Sequence, residues 1–125
     1  MYVVAINGSA RENGNTALLL GHVLAELSKE GIRTGMLQLS GKQIRGCAAC
    51  MKCFERRDRR CAIAGDAANE CIEKMDAADG ILLGSPTYFT DVTAEMKALI
   101  ERAGMVGRAN GDMYRRKVGA AVVAG

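Results

Sequence analysis

Four of the chain's five cysteines fall within sixteen positions, in the run "GCAACMKCFERRDRRC" from residue 46 to residue 61. Cys47, Cys50 and Cys53 are each separated by two residues, and Cys61 follows after seven more. Three chemistries use thiols at close spacing. Structural zinc draws on two pairs joined by a long spacer, so that two turns meet around one tetrahedron, and three cysteines in quick succession match that poorly. A thioredoxin-like CxxC pair accounts for Cys47 and Cys50 and leaves Cys53 and Cys61 without a role. A cubane iron–sulfur cluster takes three thiolates from one tight CxxCxxC loop and a fourth from elsewhere, a place that Cys61 can reach. A packing alternative stands beside these, since i, i+3 and i+6 also describe a helix carrying thiols as small hydrophobes on one face. Cys71, in register with Met75 on the following helix, reads as core.

Two loops have a second chemistry. "NGSARENGNT" (7–16) joins an apolar run to a helix start. Gly8 and Gly14 admit close backbone approach, Ser9, Asn13, Asn15 and Thr16 offer hydroxyls and amides, and Arg11 adds one cation. With a helix dipole behind them these groups form an anion cradle for a terminal phosphate monoester. The segment is neither a Walker loop nor GxGxxG. The same composition also describes an ordinary capped turn with Asn15 or Thr16 as cap. "GSPTYFTD" (84–91) holds the chain's one proline and two of its five aromatics. Pro86 stiffens it, and Thr87, Tyr88 and Phe89 offer a hydroxyl and two rings to a planar heteroaromatic ligand.

The elements that position these loops alternate in type. "YVVAIN" (2–7), "GILLGS" (80–85) and "KVGAAVVAG" (117–125) read as strands buried on both faces, and "IRTGMLQL" (32–39) as a strand nearer an edge. Between them lie three helical patterns. The first places Leu19, Val23 and Leu27 on a buried face with Leu20 and Leu24 beside them, and ends at Gly31. The second spans 66–79 with Asp66 as cap, and the third spans 91–104 with Asp91 as N-cap and Gly104 at its end. Strands alternating with helices predict a parallel sheet with right-handed crossovers. Ligands of such sheets bind beyond the carboxyl ends of the strands, which singles out the loops after Asn7, Ser85 and Ala124.

Composition narrows the class further. At 125 residues, 49% apolar and 25% charged, the chain is expected to fold as one domain, residues 1–125. No apolar run reaches the roughly 20 residues of a membrane helix, and "MYVVAING" begins without a basic leader, so a cytoplasmic location is expected. There the cysteines are thiols, metal ligands or redox groups. The net charge of +3 is concentrated in Arg56, Arg57, Arg59 and Arg60 and in Arg115, Arg116 and Lys117. Aromatics are not interleaved with them, which argues against nucleic acid; they read as solvated surface able to attract anionic nicotinamide cofactors. His22 stands alone on a helix, and no Ser-His-Asp, carboxylate pair or HExxH supports a hydrolase.

"INGSARENGNT" and "GSPTYFTDVTAEMKALIERAG" together resemble the two flavin-mononucleotide loops of the NAD(P)H-dependent FMN reductase superfamily. The resemblance implies a flavodoxin-like α/β fold, a doubly wound parallel sheet of order 2-1-3-4(-5). It implies that Ser9, Arg11, Asn13, Asn15 and Thr16 hold the FMN phosphate, and that Pro86, Thr87, Tyr88 and Phe89 line the ribityl chain and ring. The cysteine run is similar to the compact motif of the iron–sulfur flavoprotein branch, which implies a [4Fe–4S] cluster on Cys47, Cys50, Cys53 and Cys61 beside the flavin. Members of the superfamily run on into a third flavin loop near Gly125. A fifth strand and its helix would take roughly 40 to 60 further residues, so the last βα unit is expected to be missing and the fourth strand's edge to be covered by a partner, as in a homo-oligomer.

Three functions follow. The first is iron–sulfur flavoprotein-like electron transfer with a ferredoxin-like donor. The second is a cluster-free NAD(P)H-dependent reductase of flavin or quinone. The third is a non-catalytic binding domain that keeps the fold.

Overall fold

The computed structural model describes residues 1–125. Four parallel strands form one sheet: β1 (Tyr2–Asn7), β2 (Arg33–Gln38), β3 (Gly80–Pro86) and β4 (Val118–Ala124). Their order is β2-β1-β3-β4, with Val4 opposite both Gly35 and Ile81 and with Leu83 opposite Ala121. This is the expected doubly wound arrangement. Helix α1 (Asn15–Lys29) connects β1 to β2, α2 (Lys52–Arg56) and α3 (Ala68–Ala77) lie between β2 and β3, and α4 (Ala94–Ala109) connects β3 to β4.

The period-2 alternation of β1 divides the core. Val4 and Ile6 face α3 and α4, in a cluster of 15 buried residues that includes Leu39, Ile72, Met96 and Leu99. Val3 and Ala5 face α1, in a cluster of only 5 buried residues completed by Leu20, Leu24 and Leu82. The second face is therefore thinly covered. An apolar groove of about 630 Å³ remains between α1 and the N-terminal ends of β3 and β4, lined in part by Val23, Leu27, Ile32 and Val118. That groove corrects the expected face of α1. Thr16, Leu20 and Leu24 are its buried residues and Leu27 packs against their cluster as expected, whereas Leu19 and Val23 are 40% and 37% exposed, with Val23 lining the groove.

Three other expectations change. β4 is exposed along most of its length, with Val118 and Val123 uncovered, although its apolar run reads as buried; its place at the end of the four-strand order is the open edge expected above. α4 starts at Ala94 with Thr93 as its N-cap and continues through Gly104 to Ala109. Asp91 turns its carboxylate to the Val92 N–H and does not cap the helix. Gly104 does not end the helix because Leu99, Ala103 and Val106 keep one face buried on both sides of it, which outweighs the roughly 1 kcal/mol cost of a helical glycine. α3 begins two residues after Asp66, whose Oδ1 still accepts the Ala68 N–H at 3.1 Å.

The cysteine run is not one helix. Residues 46–51 have no regular structure, Ala49 and Met51 hold left-handed φ angles of 55° and 60°, and only Cys53 lies on the short α2. The alternative of a single thiol-faced helix is thereby excluded. Cys71 is core, at 1% exposure, and burial pushes its thiol up to about 11. His22 is an exposed side chain on α1. No helix is long and apolar enough to cross a membrane.

Candidate functional site

A cleft of about 220 Å³ opens where β1, β3 and β4 end. Its walls are Ser9, Arg11, Gly14, Asn15 and Thr16 from the first loop, Pro86, Thr87 and Tyr88 from the second, and Ala124 and Gly125 from the end of β4. All three strand ends that the topology singles out thus meet at one place. Seven of the nine residues predicted for a nucleotide line it. Asn13 and Phe89 do not, and Phe89 is 78% exposed.

The first loop is held from beneath. Asn7, fully buried, donates through Nδ2 to Gln38 Oε1 (2.6 Å) and accepts the Ser9 N–H on Oδ1 (3.1 Å). Ser9 Oγ in turn accepts the Arg11 N–H at 3.0 Å. Helix α1 begins behind this loop with Gly14 as N-cap and with no side chain bonded to its first-turn N–H groups. Those amides, at the positive end of a 15-residue helix, are the donors that an anion accepts.

The second loop closes over the first. Tyr88 Oη accepts the Ala10 N–H at 3.1 Å and lies 3.4 Å from Ser9 Oγ. The bond from Ser9, supported by that from Ala10, draws the Tyr88 phenol below its ordinary range. Beneath it, Ser85 Oγ accepts the Thr93 N–H at 3.0 Å and donates to the Pro86 carbonyl at 2.8 Å.

The four clustered cysteines meet in a second place. Cys47, Cys50, Cys53 and Cys61 line one small cavity of about 20 Å³, walled by Met51, Ile63, Met105 and Val106. Helix α4 grips each segment of this cage. Glu101 Oε1 accepts the Cys47 N–H at 3.1 Å, the Met105 carbonyl faces Cys53 Sγ at 4.0 Å, and Arg102 Nε donates to Cys61 Sγ at 3.3 Å. Asn69 clamps the Cys61 backbone, accepting its N–H at 2.8 Å and donating to its carbonyl at 3.0 Å. Burial pushes the Cys53 thiol up. No three His, Cys, Asp or Glu side chains close on one point as ligands of a single ion do.

The NADPH-dependent FMN reductase family profile matches residues 1–125. The chain belongs to this family. Among curated proteins it is 41% identical over 125 residues to an iron–sulfur flavoprotein of Methanocaldococcus jannaschii, covering 100% of this chain and 62% of that one. An iron–sulfur flavoprotein of Methanosarcina thermophila is 34% identical over 125 residues, with 100% and 63% covered. The chain therefore spans less than two thirds of the length of these relatives. RosB with a bound 8-demethyl-8-formylriboflavin-5'-phosphate intermediate superposes with a TM-score of 0.76 at 18% identity, over 98% of this chain and 51% of RosB. The apo form of an NADH:FMN oxidoreductase gives 0.61 at 20% identity, over 98% and 75%. These two likenesses show the flavodoxin-like fold.

Within this FMN reductase family chain, several residues that shape the two places carry no motif. Arg102 is the largest fully buried side chain, at 1% exposure. Its guanidinium also binds Asp66 and the carbonyls of Arg45 and Ile63. Burial works against the Asp66 carboxylate, but the bonds from Arg102, Ala68 and Arg45 outweigh it and hold the carboxyl below its usual range. The sequence explains Asp66 as a cap, and the structure adds this ion pair. Arg102 sits between Leu99 and Ala103 on the inward face of α4, and that periodicity is the signal that could have found it.

Proposed function

We propose that this chain is an FMN-binding electron-transfer module of the iron–sulfur flavoprotein type. The observation that carries the reading is the meeting of three strand ends at one cleft while four cysteines from two stretches share one cavity, both braced by α4. The cleft suits FMN. Unpaired first-turn amides, Ser9, Asn15, Thr16 and the Arg11 cation are the donors for its phosphate, and Pro86, Thr87 and Tyr88 form a wall for the ribityl chain and ring. Asn13 and Phe89 reach it only if their loops shift inward.

The cysteine cavity suits a [4Fe–4S] cluster by donor type. It has four thiols, mostly apolar walls and a buried cation facing one sulfur. At about 20 Å³ it has room for one water, so the loop of Cys50 and Met51, both exposed, has to move outward to admit a cluster. When bound, flavin and cluster would supply the one- and two-electron chemistry. The protein's residues seat them, exclude solvent and set their potentials. NAD(P)H or a ferredoxin-like protein is the electron donor, with the exposed Arg56, Arg57 and Arg60 attracting an anionic one.

The narrow cavity favours a second reading, a cluster-free NAD(P)H-dependent reductase of flavin or quinone. An anaerobic visible spectrum after supplying FMN, ferrous iron and sulfide separates the two. Flavin bands with a broad iron–sulfur shoulder that Cys53→Ala abolishes support the first reading. Flavin bands alone support the second, and a colourless protein overturns both.

A further inference from the structure

The buried face of α4 raises a question that neither the flavin loops nor the cysteine spacing answers, namely why an arginine is sealed in the core beside Cys61. A buried guanidinium needs an acceptor for every N–H. Nη1 reaches Asp66 and the Arg45 carbonyl, and Nη2 reaches the Ile63 carbonyl at 2.7 Å. Nε has Cys61 Sγ as its acceptor, at 3.3 Å. A neutral thiol is a weak acceptor and a poor partner for a fully desolvated cationic donor. A metal-bound thiolate carries negative charge and is the stronger acceptor for the Nε–H.

We infer that Arg102 is a positioning residue that orients Cys61 Sγ as the fourth cluster ligand and raises the cluster's reduction potential through its Nε–H···S bond. The inference rests on the reading of the four cysteines as ligands. Asn69 fixes the Cys61 backbone while Arg102 fixes its sulfur, so the distant ligand is set from both ends. Outer hydrogen bonds of this kind orient ligands and tune a metal centre. The direction follows from charge. Reduction adds an electron to an already anionic thiolate cage, and a donor on the sulfur stabilises that added charge.

The test is anaerobic reconstitution of the wild type, Arg102→Lys and Arg102→Gln with FMN, ferrous iron and sulfide. Iron and flavin assays come next, then a dithionite titration followed by electron paramagnetic resonance. Arg102→Gln is expected to move the cluster's reduction equilibrium about tenfold toward the oxidised form, about 59 mV more negative for one electron, with flavin content unchanged. Arg102→Lys keeps the charge beside Asp66 and loses the directed bond, so a smaller shift of the same sign is expected; it also serves if Arg102→Gln fails to fold. Selective iron loss from either variant, with the flavin and thermal transition retained, equally supports the role. Full iron with the wild-type potential in a folded variant overturns it and leaves the ligand reading standing. Failure of the wild type to take up iron overturns the ligand reading and the role with it.

Discussion

Thr93 Oγ1 donates a 2.7 Å hydrogen bond to the Gly8 carbonyl across 85 positions of sequence and accepts the Met96 N–H at 3.2 Å. One buried hydroxyl thereby caps α4 and ties the loop after β1 to the loop after β3. The backbone bond from Gly8 N to the Gly84 carbonyl, at 2.8 Å, runs beside it. The two walls of the cleft are thus coupled below the ligand level, and the helix that braces the cysteines starts from that joint.

Replacing Thr93 by Val keeps its shape and removes both bonds. A lost N-cap and an unpaired buried carbonyl together are expected to lower stability by about 2–3 kcal/mol. Thr93→Ser should stay within about 0.5 kcal/mol, because it keeps the oxygen. Urea unfolding followed by circular dichroism measures both, and a Val variant as stable as Ser would show that the hydroxyl is not the joint.

Tyr88 acts on the first loop through its phenol oxygen alone, since the ring is largely exposed. Tyr88→Phe keeps the ring and removes the acceptor of the Ala10 N–H. The expected result is FMN affinity weakened by roughly 3- to 10-fold, equivalent to about one hydrogen bond, with little change in melting temperature. Fluorescence quenching of FMN on titration with protein is the measurement.

Gly8 is held by contact and not by backbone angle. A Cβ there would lie 2.9 Å from Met96 Cε and 3.0 Å from the Gly84 carbonyl oxygen, and the carbonyl belongs to a paired strand that cannot yield. Gly8→Ala is expected to cost about 1–3 kcal/mol by overpacking. Gly21, inside α1, should respond in the opposite sense, because a Cβ at that position would meet nothing within 4 Å. Gly21→Ala is expected to gain about 0.5–1 kcal/mol. Thermal melts of the pair provide the comparison.

What the sequence disclosed divides along physical lines. The strands of Val, Ile and Leu between glycine-rich loops specified β1 and β3 to within a residue, because a strand buried on both faces leaves a continuous apolar run. The cleft loops were readable for the same reason, since they start where those runs stop. The buried stripe of α1 is ambiguous by sequence because Leu19, Leu20, Val23 and Leu24 are equally apolar. Tertiary packing against β1 and β3 decides that Leu20 and Leu24 are the covered pair. Arg102 was hidden by its own type, since arginine is almost never fully buried unless paired, and its partners Asp66 and Cys61 lie 36 and 41 positions away.

Tyr114 makes the last prediction. Its hydroxyl is buried with no hydrogen-bond partner, while the ring packs against Gly107, where any Cβ would lie 2.9 Å from Tyr114 Cε2. Burial, with the nearby Asp76 carboxylate adding to it, pushes the phenol from 10.0 up to about 12. The folded state thus favours the neutral phenol more than the unfolded chain does. That contribution is fully present below pH 10 and is lost as pH rises through about 12, because the unfolded chain releases its proton first. Tyr114→Phe keeps the ring, removes the unpaired hydroxyl and abolishes this titration. At pH 8 it is expected to be neutral or stabilising by up to about 1 kcal/mol. Between about pH 10 and 12 the wild type should lose stability relative to the variant, so the difference between them widens with pH. Denaturant midpoints at about pH 8, 10 and 11.5 measure that difference directly, and a constant gap would mean that the hydroxyl reaches solvent in the folded protein.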